Sequence, residues 1–474
     1  MLTTSVLVLG LAHLADVAAA VNVAIIGAGA GGSSAAYWLS LVKQRAPSGT
    51  NLAVTVYEKE YRIGGRTATV YPYNNISYDP IELGASIFTT ANRNMMRATD
   101  ELGLERVQFG GATPGLGIWD GKEFVWRTTD NATADNIRMA ERYQNGPAVS
   151  GGLIAQFLEA FAKSYSPSLE AFQNISSYST QLGYTPLQIE TLKSYFDSNG
   201  VNQNWTNDYM TGSTRFNYAQ DIDKIQGVAG LASLSAGSSH SVKKGNFKVF
   251  EQLLVKSEAV VKLGSEVIAV AKCPSELCKP NWRYVVATRD GSAGYDAVII
   301  ANPLPLAKTK YINLPQPSTL PSVKYVKLHV TLLTTTTPAL LPAYFKTDRS
   351  SPLPGTVLTT GAYGSQPEFN SIRYQATIER NGRTEYGKVG WVYRKTWDAY
   401  PYFPPRSDFP PVKLDKGVYY INAMEGLFST METETIASRN VVDLLGTEMI
   451  GSGICGPEGP KGPVTDDYVV GWDC

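Results

Sequence analysis

The run Val21-Asn22-Val23-Ala24-Ile25-Ile26-Gly27-Ala28-Gly29-Ala30-Gly31-Gly32 constrains this chain more than any other segment. Its apolar half reads as a buried strand, and its glycine half as a turn into a helix from Ser33 to Leu41. In such a turn Gly27 permits the tight bend, Gly29 lets backbone approach a pyrophosphate, and Gly32 allows close packing of helix on strand. The phosphates then sit at the positive end of the helix. A second strand, Val54-Thr55-Val56-Tyr57, ends in Glu58, where an acid accepts hydrogen bonds from adenosine ribose hydroxyls. Together these segments predict a βαβ dinucleotide cradle.

The segment Glu58-Lys59-Glu60-Tyr61-Arg62-Ile63-Gly64-Gly65-Arg66 separates flavin from nicotinamide. A glycine doublet and an arginine so soon after the ribose acid resemble the second FAD contact of amine-oxidase-like flavoproteins. Gly64 and Gly65 let backbone pass close to the cofactor, and Arg66 supplies charge to the diphosphate. Glu82-Leu83-Gly84-Ala85-Ser86 reads as a loop returning to the flavin, with Gly84, Ala85 and Ser86 as contacts. Val267 is a further expected contact. So are Met431 and Glu432, in a helix beginning near Thr430 whose amino end can face the flavin.

Lys+Arg and Asp+Glu both total 42, and no basic stripe stands out, which argues against a nucleic-acid partner and against strong attachment to anionic membranes. Residues 1–20 carry an apolar stretch, Val6-Leu7-Val8-Leu9-Gly10-Leu11, and end in Ala18-Ala19-Ala20, the pattern of a secretory signal cleaved after Ala20. Four sequons, at Asn75, Asn131, Asn174 and Asn204, agree with passage through a secretory lumen. The expected destination is secretion, the vacuole or the lysosome. No other stretch is long and apolar enough to span a bilayer. Cys273 with Cys278 and Cys455 with Cys474 form two sequence-local pairs suited to disulfides, although four cysteines allow three connectivities. The histidines, His13, His240 and His329, lie outside any metal-ligand spacing, so no metal is expected.

With 474 residues, two interleaved domains are expected. The fold class is α/β (α+β overall): a Rossmann-type FAD-binding domain with an interleaved substrate domain of helices and an antiparallel sheet. FAD-binding parts are placed at 21–110, 225–310 and 411–450, substrate parts at 111–224, mostly helical, and 311–410, and a tail with a candidate disulfide at 451–474. A helix from about Asn92 to Leu102 and a hairpin within 110–127 follow the cradle. Leu153, Ile154, Phe157, Leu158 and Phe161 repeat at helical spacing, and Thr185-Pro186-Leu187-Gln188 offers an N-cap, a first-turn proline and a capping-box glutamine. Runs at 260–270, 282–288 and 295–301 read as strands completing the nucleotide domain, and 324–336 as a strand of the substrate sheet.

The chain resembles the prenylcysteine oxidases, called farnesylcysteine lyases in plants, over nearly its whole length after residue 20. The resemblance rests on the glycine run, on Gly64-Gly65-Arg66, on Arg215-Phe216-Asn217-Tyr218-Ala219-Gln220, on Lys244-Gly245-Asn246, on Trp397-Asp398-Ala399-Tyr400-Pro401 and on Met431-Glu432. It implies FAD-dependent, oxygen-consuming cleavage of the thioether in an isoprenoid substrate, S-farnesyl- or S-geranylgeranylcysteine, to a prenyl aldehyde, cysteine and hydrogen peroxide. Departures from animal members fall at Phe88-Thr89-Thr90 and at Ser238-Ser239-His240-Ser241-Val242-Lys243, two segments expected to approach the substrate. Tyr218, Gln220 and His240 are the candidate catalytic residues. Two other readings stay open: oxidative cyclisation of a terpenoid, and a flavin-retaining protein that holds a lipid without oxidising it.

Overall fold

In the computed structural model the strand Val21–Ile26 lies inside a six-stranded sheet, flanked on both sides by parallel neighbours, Leu52–Tyr57 and Ala297–Ile300. Val260–Lys262 and Val418–Tyr420 extend the sheet in parallel, and the edge strand Lys413–Asp415 runs antiparallel. The structure describes residues 20–110, 113–274, 282–337, 339–348, 353–379, 389–460 and 463–474. Val23, Ala24 and Ile25 and their neighbours Val298, Ile299 and Ile300 are fully buried, as parallel strands covered on both faces must be. Helices Ala30–Arg45, Phe247–Ser257 and Met431–Ile450 pack on one another beside this sheet. The first helix extends beyond the predicted Ser33–Leu41 at both ends.

The apolar run 260–270 does not form one strand. Gly264, in the left-handed region at φ 65°, turns the chain, and the amides of Gly264 and Ser265 donate to the carbonyls of Glu60 and Glu58. Val260–Lys262 therefore joins the parallel sheet, whereas Val267–Lys272 joins a separate four-stranded sheet with Tyr284–Thr288, Gly291–Tyr295 and Lys310–Ile312. The two sheets meet where the Tyr57 and Tyr295 hydroxyls bond at 2.7 Å.

The other part of the molecule is mostly helical from Ala132 to Tyr218, with Leu153, Phe157 and Phe161 buried on the helix Gly146–Ala162. Leu116–Trp119 and Phe124–Arg127 form the expected hairpin, which joins Thr356–Thr359 and Ser371–Arg373 in a four-stranded sheet. The helix Gly227–Leu234 sits among these helices: an added Cβ at Gly227 would meet Leu187, and at Gly230 Leu192. Thr185 is not an N-cap. Gly183 ends the preceding helix in a left-handed conformation, and buried Tyr184 takes the cap position, so Thr185 becomes the first residue of a four-residue helix, Thr185–Gln188. Tyr325–Thr335 and Val389–Pro401 pair antiparallel as a long two-stranded ribbon.

Cys455 and Cys474 are joined, with Cα atoms 5.1 Å apart. Cys273 is also disulfide-bonded, and its expected partner Cys278 lies outside the described residues, as does the signal segment through residue 19, with His13. Among the described residues no helix is long and apolar enough to cross a membrane, and no cluster of three or more metal-binding side chains occurs.

The turn Lys244-Gly245-Asn246 anchors the loop that follows Glu82. The Asn246 amide donates to Glu82 Oε1 at 2.7 Å, and its side chain donates to the Ala85 carbonyl at 3.0 Å. Glu82 Oε2 is buried without a partner, and burial pushes this carboxyl up from 4.5 to about 7 despite the Asn246 bond. The folded chain thus holds this proton to higher pH than the unfolded chain does. The resulting stabilisation is complete below 4.5 and disappears as pH rises through about 7. Thermal melts should show the melting temperature falling between pH 5 and pH 8, and Glu82→Gln should flatten that fall. An unchanged slope in the variant would contradict the assignment.

Candidate functional site

A cavity of about 1310 Å³ opens above the carboxyl ends of the parallel strands and runs to the ribbon and the helical part. That exceeds the usual volume of a single small-molecule pocket, roughly 300–1,000 Å³, and leaves room for a cofactor together with a substrate. Gly27, Gly29, Gly64, Gly65, Gly84, Ala85, Ser86 and Val267 all line it. Each glycine has a distinct reason. A Cβ at Gly32 would stand 1.9 Å from the Gly27 carbonyl oxygen, so this position sets how closely helix packs on strand. At Gly84 a Cβ would stand 2.0 Å from the Arg66 carbonyl oxygen. At Gly29 the nearest atom is the Gly65 Cα at 3.8 Å, so a side chain there would enter the cavity rather than the protein. Gly29 and Gly65 face one another as the floor of a cradle that a Cβ would fill.

Glu58 stands at the end of the second strand. Its Oε2 accepts from the Ala28 amide and its Oε1 from the Glu60 amide, both at 2.9 Å, which fixes the carboxylate at the cavity wall with acceptor capacity to spare. Arg66 lines the cavity and is also tied to its wall. Its guanidinium pairs with Glu425 and donates to the Ala399 carbonyl at 2.8 Å. Burial opposes its charge, but Glu425, Tyr325 and Glu434 together outweigh burial and hold the guanidinium protonated. Glu425 also accepts from the Tyr325 hydroxyl at 2.6 Å and from Asn422 Nδ2 at 2.7 Å, and the same Nδ2 reaches Glu434 Oε2 at 3.1 Å. Burial and the nearby Glu425 push the Glu434 carboxyl well above its ordinary range.

Asn302 Oδ1, Asn422 Oδ1 and Glu434 Oε1 are buried, have no hydrogen-bond partner and belong to residues lining the cavity. Buried polar atoms are rarely left so, and three at one wall mark where a polar ligand completes the site. A glycine floor, a ribose acid at a strand end, a helix amino end and orphaned polar atoms fit FAD. Met431 and Glu432 lie at the amino end of the closing helix and line the cavity. The Glu432 carboxylate, however, accepts from the Asn94 and Met95 amides at 2.9 Å and from the Tyr165 hydroxyl at 2.7 Å. It thereby caps the helix Arg93–Glu101 from the cavity wall.

The three catalytic candidates separate. Tyr218 lines the cavity, with its hydroxyl on the Ser429 carbonyl at 2.9 Å. Gln220 does not line it: its amide bridges Tyr218, Pro401 and Phe403, a bond to the backbone on each side. The motif around it is a brace. Arg215 holds Thr359 and Asp221, and Asn217 holds the Ser233 carbonyl. His240 also lies outside the lining, on a strand paired with Phe88 and Gln108. Of the two departing segments Thr89 reaches the cavity wall, while 238–243 forms that strand and its turn behind it. Sequence reasoning found the strand at 324–336 but did not place its residues in the site: Lys327, His329 and Asp398 line the cavity, and alternation along a half-exposed strand was the available signal.

Gly29→Val should fold with a near-normal melting temperature yet retain no FAD, whereas Gly32→Val should fail to accumulate as folded protein. FAD content and circular-dichroism melts on both variants check this, and FAD retained by Gly29→Val would contradict the cradle. Glu58→Ala should fold and bind FAD about tenfold more weakly, the loss of one charged hydrogen-bonding group. Unchanged affinity would place the ribose acid elsewhere.

Residues 126–393 and 386–452 match the family model described as prenylcysteine lyase, and residues 25–102 match an NAD(P)-binding Rossmann-like domain. The chain is 26% identical to prenylcysteine oxidase 1 of Mus musculus over 454 residues, covering 88% of this chain and 87% of that protein. It is 26% identical to farnesylcysteine lyase of Arabidopsis thaliana over 470 residues, covering 90% and 88%. Among solved structures, wild-type putrescine oxidase bound to putrescine superposes with a TM-score of 0.54 at 14% identity, covering 90% of this chain and 99% of that one, a likeness of fold.

Proposed function

The chain belongs to the prenylcysteine lyase family, and from that premise we propose that it is an FAD-dependent oxidase cleaving the thioether of S-farnesyl- or S-geranylgeranylcysteine. One observation carries the reading: a single cavity is lined both by a dinucleotide cradle and by an aromatic arm, Phe157, Phe161, Phe216 and Phe428. Held over Gly29 and Gly65 with Glu58 at its ribose, FAD would supply the acceptor for a hydride from the carbon bonded to sulfur, with molecular oxygen as the final electron acceptor giving hydrogen peroxide. That carbon is allylic and next to sulfur, so the positive charge left behind is stabilised from both sides. Water adds there, and the resulting hemithioacetal divides into prenyl aldehyde and cysteine.

The chain's own part is positional. The aromatic arm shelters the isoprenoid tail from water and limits how the reacting carbon can approach the cradle. Hydride departure releases no proton to a base at the reacting carbon. This chemistry therefore asks no base of the histidine on the cavity wall, His329.

With farnesylcysteine in air the holoprotein should produce farnesal, cysteine and hydrogen peroxide in equal amounts. If farnesylcysteine is inert while a hydroxylated terpenoid is consumed and emerges cyclised, oxidative cyclisation replaces this reading. A protein that retains FAD but oxidises neither class would be a lipid binder.

The same reading includes a secretory route. It is supported by exposure of all four sequon asparagines, Asn75, Asn131, Asn174 and Asn204. Asn131 and Asn174 cap helices through Oδ1, an interaction that a glycan on Nδ2 leaves in place. Intact mass from the native host should show a chain starting at Val21 with glycan mass removable enzymatically. An unmodified chain retaining Met1 would contradict the route.

A further inference from the structure

The ribbon's two faces differ in chemistry. Alternation places Leu328, Val330, Leu332, Trp397, Tyr393 and Trp391 on one face. Most of this face packs on Ala68, Val70 and Leu83. The opposite face carries Lys327, His329 and Thr331 across from Asp398, Thr396 and Arg394. Lys327 and Asp398 are directly opposed, both are exposed, and both line the cavity. Neither side chain forms an ion pair or hydrogen bond with any described residue, although side chains so placed have Cβ atoms only about 5 Å apart.

Several other charged side chains that line this cavity are occupied. Arg215 holds Asp221, Glu368 accepts from the Tyr344 hydroxyl, and Glu432 caps a helix. Lys395 lies over the Trp397 ring on the other face of the ribbon. The uncommitted pair, one cation and one anion, therefore stands about 7 Å along the strand from Tyr325, whose hydroxyl binds Glu425 beside the cradle. The aromatic arm supplies the opposite requirement, an apolar slot with no unpaired charge.

We propose that Lys327 and Asp398 read the amino-acid head of the substrate, Lys327 pairing with its carboxylate and Asp398 with its ammonium group, so that the ligand is a zwitterion with an apolar tail. This deepens the prenylcysteine reading and rests on it. Opposed but unbonded charges complement a ligand that bears both signs on one carbon. An amine alone would leave Lys327 facing its own charge, and a carboxylate alone would leave Asp398 doing so. Because both side chains are exposed, each contact is modest and screened by salt.

The test uses FAD-loaded protein and three saturated ligands that cannot give up an allylic hydride: S-dodecylcysteine, S-dodecylcysteamine without the carboxylate, and 3-(dodecylthio)propanoate without the ammonium. Binding is read from perturbation of the flavin spectrum. The native chain should bind the zwitterion roughly threefold to tenfold more tightly than either truncated ligand, the scale of an exposed ion pair. Lys327→Met should erase the preference over the cysteamine and keep that over the propanoate, and Asp398→Asn should do the reverse. A structural role would lower all three affinities together. Equal losses across ligands, or a native chain indifferent to the missing groups, would overturn the proposal. Farnesylcysteine oxidation by the native protein, measured alongside, reports separately on the underlying function.

Discussion

Arg66 and Glu425 form the contact on which the site depends. They join chain segments far apart in sequence: the glycine doublet before Arg66, the ribbon through Tyr325 and Ala399, and the turn into the closing helix through Asn422 and Glu434. Glu425 is fully buried, so removing its partner would leave an uncompensated charge at a cost of about 3–5 kcal/mol. A pair in that position holds the cofactor cradle and the substrate wall in one register. The guanidinium is partly exposed and lines the cavity, so the side chain that braces the wall also stands in the space where a diphosphate is expected.

Much of the cofactor half was legible because its signals are local. Gly27, Gly29 and Gly32 act within one strand–turn–helix unit, and their spacing alone specifies what a Cβ would collide with. Glu58 was legible for the same reason, being the last polar group of a short apolar strand. The run from Val260 to Val270 was not, because its division between two sheets is made by Gly264 and by hydrogen bonds to residues two hundred positions earlier. Glu432 lines the cavity, and its second part, capping the helix Arg93–Glu101, was not legible because that helix approaches only in the folded state.

The substrate half was less legible. His240 drew attention as a rare residue in a departing segment, yet the pairing of its strand with Phe88 and Gln108 places it behind the cavity wall. His329, set aside for lack of metal spacing, lies on that wall. The difference comes from strand register, which a sequence with no turn connecting Tyr325–Thr335 to Val389–Pro401 does not encode locally. Gln220 and Arg215 belong to the most distinctive motif of the chain, and they hold it together without touching the cavity or, for Arg215, while bonded to Asp221. Arg215, Phe216, Asn217, Tyr218 and Ala219 all line the cavity, so in this motif bracing and lining are done by the same segment.

The central claim is that this cavity brings the carbon bonded to sulfur to the flavin for hydride removal. The most direct measurement is anaerobic flavin reduction by farnesylcysteine carrying deuterium at that carbon, followed by loss of the flavin's visible absorbance. The account predicts that deuterium there slows the loss and that deuterium elsewhere on the isoprenoid chain does not. Reduction at the same rate with every labelled substrate, or a flavin left oxidised by farnesylcysteine, would contradict it.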